Sequence, residues 1–509
     1  MVAFAVGLAL SAPAVASGAG GGRHPQSTSP HGSYLRGVAF VTALHGWVVG
    51  PAGAIWVTTD DGSTWSRQKS GTAQDLRAVT FKGASRGWVV GVDGTILATT
   101  NGGARWSAQL SGTTQPLDAV SFADAGHGWA VGAGGTILAT SDGGATWSTQ
   151  PSGGQPAGTT GSLSSVSFCD ASHGWAAGAG GTLLATSDGG ATWSTQLSDT
   201  TASLSSVSFR DASHGWAVGS GGTIVNTTNG GATWSAQPSG TSESLNAVSF
   251  CSSSHGWAAG ARGTILATTN GGATWHKQTS STTQPLDALA FLGAGRGWAA
   301  GGNGTILATR NGGATWRTAP PKPAIIRQLI AFGAKRRAET VVYNRRHYGQ
   351  ATWRLTPKVI VLHYTDGGTE AGTHATFNAD RPDLGVLPGV VAHFVIDRNG
   401  RIYQQLPLNI RGRHTVGLNY VAVGIEFVQD GGPNPTWATN QIFHRKAQIG
   451  AGVRLVRWLL WRYEIKPGNI VGHGTANASP YFKDLLHWRN THVDWLAPAV
   501  RRFRALLGG

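Results

Sequence analysis

Two histidines and a set of carboxylates, each placed at the end of an apolar run, carry the first chemical argument. His363 closes Val359-Ile-Val-Leu, and His473 follows Ile470-Val-Gly. A short loop later come Lys483 and Asp484, and between the histidines Glu426 ends the run Val423-Gly-Ile. Two histidines and a carboxylate can supply the three protein ligands of a catalytic zinc, leaving the fourth position to water. Glu426 is a carboxylate available to handle that water's protons. The chemistry to expect is metal-assisted hydrolysis.

The elements around these residues must hold them rigidly. Val359 to Leu362 and Val421 to Val428 read as buried strands, and His393 to Leu406 as a hairpin turning at Asn399-Gly400. Apolar residues at helical spacing, among many Arg and Lys, run from Ala324 to about His347. Ile442 to Tyr463 reads as one long basic amphipathic helix and Val493 to Leu507 as a final one. Helices alternating with strands imply an α/β domain over residues 324–509 with one central mixed sheet.

The preceding chain obeys a different rule. Gly-Trp pairs recur at Trp47, Trp88, Trp129, Trp175, Trp216, Trp257 and Trp298, 41 residues apart except for one interval of 46. A second tryptophan keeps step at Trp65, Trp106, Trp147, Trp193, Trp234, Trp275 and Trp316, and the longer interval holds a loop-like insertion around Gln155-Pro156-Ala157-Gly158. Each unit contains four short strands separated by glycine-rich turns. Four strands per period of about 40 residues describe a β-propeller blade, so seven copies predict an all-β seven-bladed propeller over residues 33–318, with a solenoid as the competing architecture. Residues 319–323, Ala-Pro-Pro-Lys-Pro, read as a stiff linker.

Composition agrees with this division. Of the 509 residues 76 are glycine, which suits a turn-rich β structure. The formal charge of +15 is concentrated: residues 319–509 hold 25 Lys and Arg against 11 Asp and Glu, leaving +1 for the rest. A positive field of this kind favours anionic partners, wall polymers among them. Without an aromatic-interleaved basic motif or a reading helix, nucleic acid is not expected. Cys169 and Cys251 occupy equivalent places in non-adjacent repeats, too far apart to bridge, and read as small buried fillers. The run Met1 to Ala16, ending Ala14-Val15-Ala16, reads as a signal peptide within a leader spanning residues 1–32, although no basic residue precedes it. No other stretch approaches a membrane span. A secreted, wall-associated protein is expected.

Two resemblances add to this reading. The turn before each second tryptophan, such as Thr140-x-Asp142-x-Gly144-x-Thr146-Trp147, resembles the Asp-box of sialidases, and the repeats as a whole look like the propellers of photosystem II assembly-factor-like proteins. Residues repeated in every blade serve the blade, whereas an active site must break the symmetry. The blades contain few arginines and almost no tyrosine, so sialidase chemistry is not expected. The histidines before the Gly-Trp pairs, His45, His127, His173, His214 and His255, read as turn residues.

Nearly all of residues 324–509 resemble the zinc-dependent N-acetylmuramoyl-L-alanine amidase family, which includes peptidoglycan recognition proteins and phage lysozyme-type amidases. The matching pieces, in order, are Arg-His347-Tyr348-Gly349, the strand ending His363-Tyr364-Thr365, Ala-His393-Phe through Tyr403, Asn419 through Glu426, and Val-Gly-His473 through Lys483-Asp484. The resemblance implies Zn2+ held by His363, His473 and Asp484, with His487 as the rival third ligand because the usual lysine spacing is altered here. It implies Glu426 as general base, since the tyrosine used by phage-type relatives is replaced by Ala392. Lys483 would stabilise the oxyanion, with an ordinary solvated lysine as the competing reading. His393, His414 and Asn419 would line the substrate cleft, with a core or rim position as the competing reading for each histidine. His347 and His492 would be structural. The implied activity is cleavage of the amide between N-acetylmuramic acid and L-alanine in peptidoglycan, with the propeller as a recognition or targeting module. The alternative is a non-catalytic peptidoglycan-binding protein whose propeller is an interaction scaffold.

Overall fold

A computed structural model describes residues 30, 32–151, 161–383, 385–430 and 432–508. Most of the expected leader and the insertion around Gln155 lie outside the described residues. Seven sheets follow one another in strict chain order, each an antiparallel meander: the first uses Gly37–Phe40, Gly46–Gly50, Ala54–Thr58 and Ser66–Gln68. The seventh has three strands, Leu286–Leu292, Arg296–Gly301 and Ile306–Thr309, plus a single bridge from Ala308 to Arg317. This is the seven-bladed propeller expected from the period.

Aromatic stacking between neighbouring blades holds the ring. The Gly-Trp indole of one blade stacks on the phenylalanine of the next: Trp47 on Phe81, Trp88 on Phe122, Trp129 on Phe168, and so round to Trp257 on Phe291. Each phenylalanine also meets the second tryptophan of its own blade edge-on, as Phe81 meets Trp106. The stacked phenylalanine fills the space over the glycine before each Gly-Trp indole. A Cβ at Gly128 would stand 2.3 Å from the Phe122 ring, which explains why glycine precedes the tryptophan in every copy. Burial of Trp and Phe makes this the principal hydrophobic stabilisation of the ring, about 3–5 kcal/mol for each aromatic replaced by Ala.

The Asp-box turns are structural. Asp142 accepts hydrogen bonds from the Thr146 amide and hydroxyl and from the Thr140 hydroxyl, while the Gly144 amide donates to Thr140. His127, His173 and His214 pair with Asp124, Asp170 and Asp211 inside their own turns, as expected of turn residues. Cys169 and Cys251 are free thiols, half-buried rather than the fully buried fillers expected.

The C-terminal domain is built on a six-stranded mixed sheet, labelled here β1 Ile325–Arg327, β2 Val359–Tyr364, β3 Phe394–Ile396, β4 Ile402–Gln404, β5 Ala422–Phe427 and β6 Ile470–Gly472. Its order is β1-β4-β3-β5-β2-β6, parallel except for the β3–β4 hairpin. Gly400 turns that hairpin at φ 83°, a conformation glycine takes without strain. The helices are α1 Ala334–Tyr348, α2 Glu370–Asn378, α3 Pro435–His444, α4 Lys446–Tyr463 and α5 Ala497–Ala505. The expected single helix from Ile442 to Tyr463 is therefore two, broken at Arg445, whose ψ of 88° is not helical. Helix α2, capped by the Thr369 hydroxyl, was not anticipated from the pattern. Leu362, Phe394, Ile425, Phe427, Leu455, Trp495 and Phe503 form the main core, and β2 and β5 lie at its centre. Among the described residues no helix is long and apolar enough to cross a membrane.

Candidate active site

The central strands deliver the chemistry because parallel neighbours present paired residues to the same face. In the β2–β5 register His363 lies opposite Glu426, and β6 runs beside β2 so that His473 emerges one residue past Gly472. Irregular chain after His473 then brings Asp494 back against both histidines. His363 Nδ1 lies 3.0 Å from His473 Nδ1 and 3.7 Å from Asp494 Oδ2, and His473 Nδ1 lies 3.0 Å from Asp494 Oδ1. All three side chains are buried.

These residues fit a zinc ion. Ligand bonds of about 2.0–2.2 Å in a tetrahedron put ligand atoms roughly 3.3 Å apart, close to the separations seen. The donor set of two imidazoles and one carboxylate leaves one position open. Burial, followed by the neighbouring His473 and His414, holds the His363 imidazole far below its usual pKa, so it stays in the neutral form a metal requires.

Supporting contacts fix each ligand. Trp495 Nε1 donates to the His363 carbonyl at 3.1 Å, and Asn490 Nδ2 donates to the His473 carbonyl at 2.6 Å. Asp494 Oδ2 accepts the Tyr364 amide at 3.3 Å. His363 Nε2 stands 3.2 Å from both His414 Nδ1 and the Thr415 hydroxyl, which orient the ring.

The group lies in a cleft of about 810 Å3, whose walls include Glu426, Asp383, Arg413, Arg489 and the 490–494 segment. Glu426 Oε2 is sequestered without a protein hydrogen-bond partner. Burial and then the charge of Asp494 push its carboxyl well above the usual carboxylate range. Arg413 is held against the 383–388 loop by bonds to the Pro388 and Asp383 carbonyls and by an ion pair with Asp383 at 3.1 Å.

The structure sorts the expected site residues. His363, His473, Glu426, His414 and Asn419 come together in the cleft. Asn419 spends its Oδ1 on the His414 and Thr415 amides, so it shapes the turn that carries His414. His393 is not in the cleft: it is fully buried, with Nε2 donating to the Ile410 carbonyl and Nδ1 accepting the Gly424 amide. Asp484 is not in the ligand group either. Its Oδ2 pairs with His347 Nδ1 at 2.8 Å, both side chains fully buried, while Oδ1 accepts the Leu486 and Trp488 amides. Lys483 and His487 are exposed on the same stretch, away from the cleft walls.

Asp494 was the residue missed. Only two carboxylates follow His473 in the chain, Asp484 and Asp494, and that count was the available signal.

Comparison with known proteins places both parts of the molecule. Residues 27–116, 108–200, 154–240, 195–287 and 239–324 match the family model of photosynthesis system II assembly factor YCF48, together more than half of the chain. The chain belongs to the YCF48 family. Beyond this YCF48-type propeller, residues 353–484 match the family model of N-acetylmuramoyl-L-alanine amidase, so the C-terminal unit is an amidase-type domain. That match ends at Asp484, short of Asp494. Among solved structures the chain is similar to YCF48 from Cyanidioschyzon merolae, with 25% identity and a TM-score of 0.48 over 55% of this chain and 97% of that one. It is also similar to YCF48 bound to D1 peptide, with 21% identity and a TM-score of 0.47 over 55% and 95%. A GH74 xyloglucanase from Xanthomonas campestris follows with 15% identity and a TM-score of 0.46 over 57% and 53%. No curated protein matches the sequence.

Proposed function

We propose that this protein is an exported, zinc-dependent peptidoglycan hydrolase that cleaves the amide between N-acetylmuramic acid and L-alanine, with the propeller directing it to its target. The convergence of His363, His473 and Asp494 beside Glu426 in one cleft carries the reading. The amidase match implies peptidoglycan as substrate. The basic C-terminal domain favours approach to an anionic wall.

His363, His473 and Asp494 would hold the metal. When bound, zinc supplies Lewis-acid polarisation of the amide carbonyl and a water whose pKa falls to about 7. Glu426 sits on the same sheet face as His363, so its carboxylate takes the proton of the attacking water and passes it to the departing L-alanine amine. His414 and Thr415 keep the His363 ring in place throughout. Arg489 adds a cationic group to the cleft wall that suits a carboxylate of a peptide stem, whereas Arg413 is already paired with Asp383.

Incubation of the purified protein with peptidoglycan, with and without a zinc chelator, and mass spectrometry of the products tests this. Stem peptides with a free L-alanine amine beside uncut glycan, lost on chelation and restored by zinc, are expected. Binding to sacculi without cleavage would instead establish the non-catalytic scaffold.

A further inference from the structure

One of the seven blade junctions differs chemically from the other six. At six of them the Gly-Trp indole donates to a glycine carbonyl in the Asp-box turn of the next blade, as Trp88 does to Gly143 and Trp257 to Gly312. At the junction of blade seven with blade one, that turn carries Asp61 instead of glycine, and Trp298 Nε1 donates to its carboxylate at 2.9 Å. Asp61 is almost wholly buried and sits at φ 60°, a left-handed conformation that favours glycine. Its other oxygen pairs with Arg310, at a position where the other six blades have Ser or Thr, and Arg296 approaches to 3.9 Å.

The same two arginines reach the amidase-type domain. The Arg310 guanidinium lies 4.3 Å from the Trp461 ring centroid, and Arg296 pairs with Glu464. Trp461 also packs against the apolar cluster of the seam, which includes Leu35, Phe40 and Trp298. Glu464 is the left-handed residue that ends α4, at φ 56°, again where glycine is preferred. Two acidic residues thus occupy glycine-type positions on opposite sides of one arginine. Beside them Lys322, in the linker, stands 5.6 Å from the Trp458 ring.

This junction is also where the ring closes. Among the described residues each blade is made from one continuous stretch of chain, and no strand crosses between the first and last blades. Closure rests on the Phe40–Trp298 stack at 3.7 Å and backbone bonds such as Leu35 N to Gly301 O at 3.1 Å.

We propose that the closing seam of the propeller is a docking surface for the C-terminal end of α4, and that Asp61, Arg296, Arg310, Trp461 and Glu464 form a clasp. The clasp makes propeller and hydrolase domain one rigid unit. A target held by the propeller is thereby presented to the cleft in a fixed direction. The clasp itself is independent of the amidase reading, because none of its residues lies in the cleft, and only the presentation of a target to that cleft rests on the proposed function.

Glycine substitutions test it in the full-length protein, since Asp61→Gly and Glu464→Gly each relieve a left-handed backbone while removing a clasp charge. Small-angle scattering and calorimetry are the readouts, with Trp461→Ala as a third variant. The wild type is expected to scatter as a single compact particle and to unfold in one transition. Each variant should increase the maximum dimension and split the transition in two, and high salt should do the same to the wild type in part, because the Arg296–Glu464 pair is partly exposed. Unchanged scattering with a higher unfolding midpoint in both glycine variants would show backbone relief alone and overturn the clasp.

Discussion

His347 and Asp484 form a fully buried pair, Nδ1 to Oδ2 at 2.8 Å, that ties helix α1 to the segment leading toward the His363, His473 and Asp494 group. The Leu485 amide also donates to the His347 carbonyl, so the tie is doubled. Asp484 therefore holds the chain from which Asp494 reaches the histidines.

The two aspartates should separate cleanly on substitution. Asp484→Ala leaves a buried imidazole unpaired and is expected to lower stability by about 3–5 kcal/mol while the folded fraction still binds zinc stoichiometrically. Asp494→Ala should reduce zinc affinity by more than the roughly 10–100-fold typical of an outer-shell partner, with a smaller change in the unfolding free energy of the metal-free protein. Thermal unfolding and metal titration together check both, and stoichiometric tight zinc in Asp494→Ala would return the ligand role to another residue.

Glu426→Gln keeps the size and sheet position of the side chain but removes its capacity to accept a proton. Turnover of peptidoglycan fragments should fall about 10²–10⁴-fold with zinc content unchanged. Activity within a few-fold of wild type would assign proton transfer elsewhere.

Burial lowers the His393 imidazole to about 4, against about 6.5 in an unfolded chain. A base with a depressed folded-state pKa gives stability that is complete above pH 6.5 and lost as the pH falls toward 4, because the unfolded state binds the proton first. The loss expected at pH 4 is about 3 kcal/mol. Imidazole nitrogen shifts should show a neutral ring protonated at Nε2 down to about pH 4, and titration near 6.5 would contradict the buried bracing role.

In the propeller, hydrogen bonds from the Thr146 and Thr192 side chains, then their amides, lower Asp142 and Asp188 to about 2. Acids depressed in this way contribute stability that is present above pH 4 and lost as the pH falls to about 2. Asn occupies the same turn position at Asn101, Asn229, Asn270 and Asn311. The double variant Asp142→Asn, Asp188→Asn should therefore match wild-type stability at pH 7 and show a flatter unfolding midpoint between pH 4 and 2. An equally steep acid limb in the variant would place the acid sensitivity outside these turns.

The sequence by itself determined whatever repeats or alternates. A 41-residue interval between Gly-Trp pairs dictates seven sheets because each period contains the same buried aromatic contacts, and apolar runs around His363 and Glu426 dictate buried strands, whose adjacency the structure supplies. Tertiary structure alone decided the positions that no period constrains. Asp484 and Asp494 lie on the same irregular segment with nothing local to orient them, and only the His347 imidazole shows which one is occupied. The break at Arg445 carries no Gly or Pro signal, and it shows only in the structure, where Arg445 leaves the helical region and caps both α3 and α4. Asp61 and Glu464 lie about 400 residues apart in the chain, so a shared arginine between them exists only once the ring has closed and α4 rests on its seam.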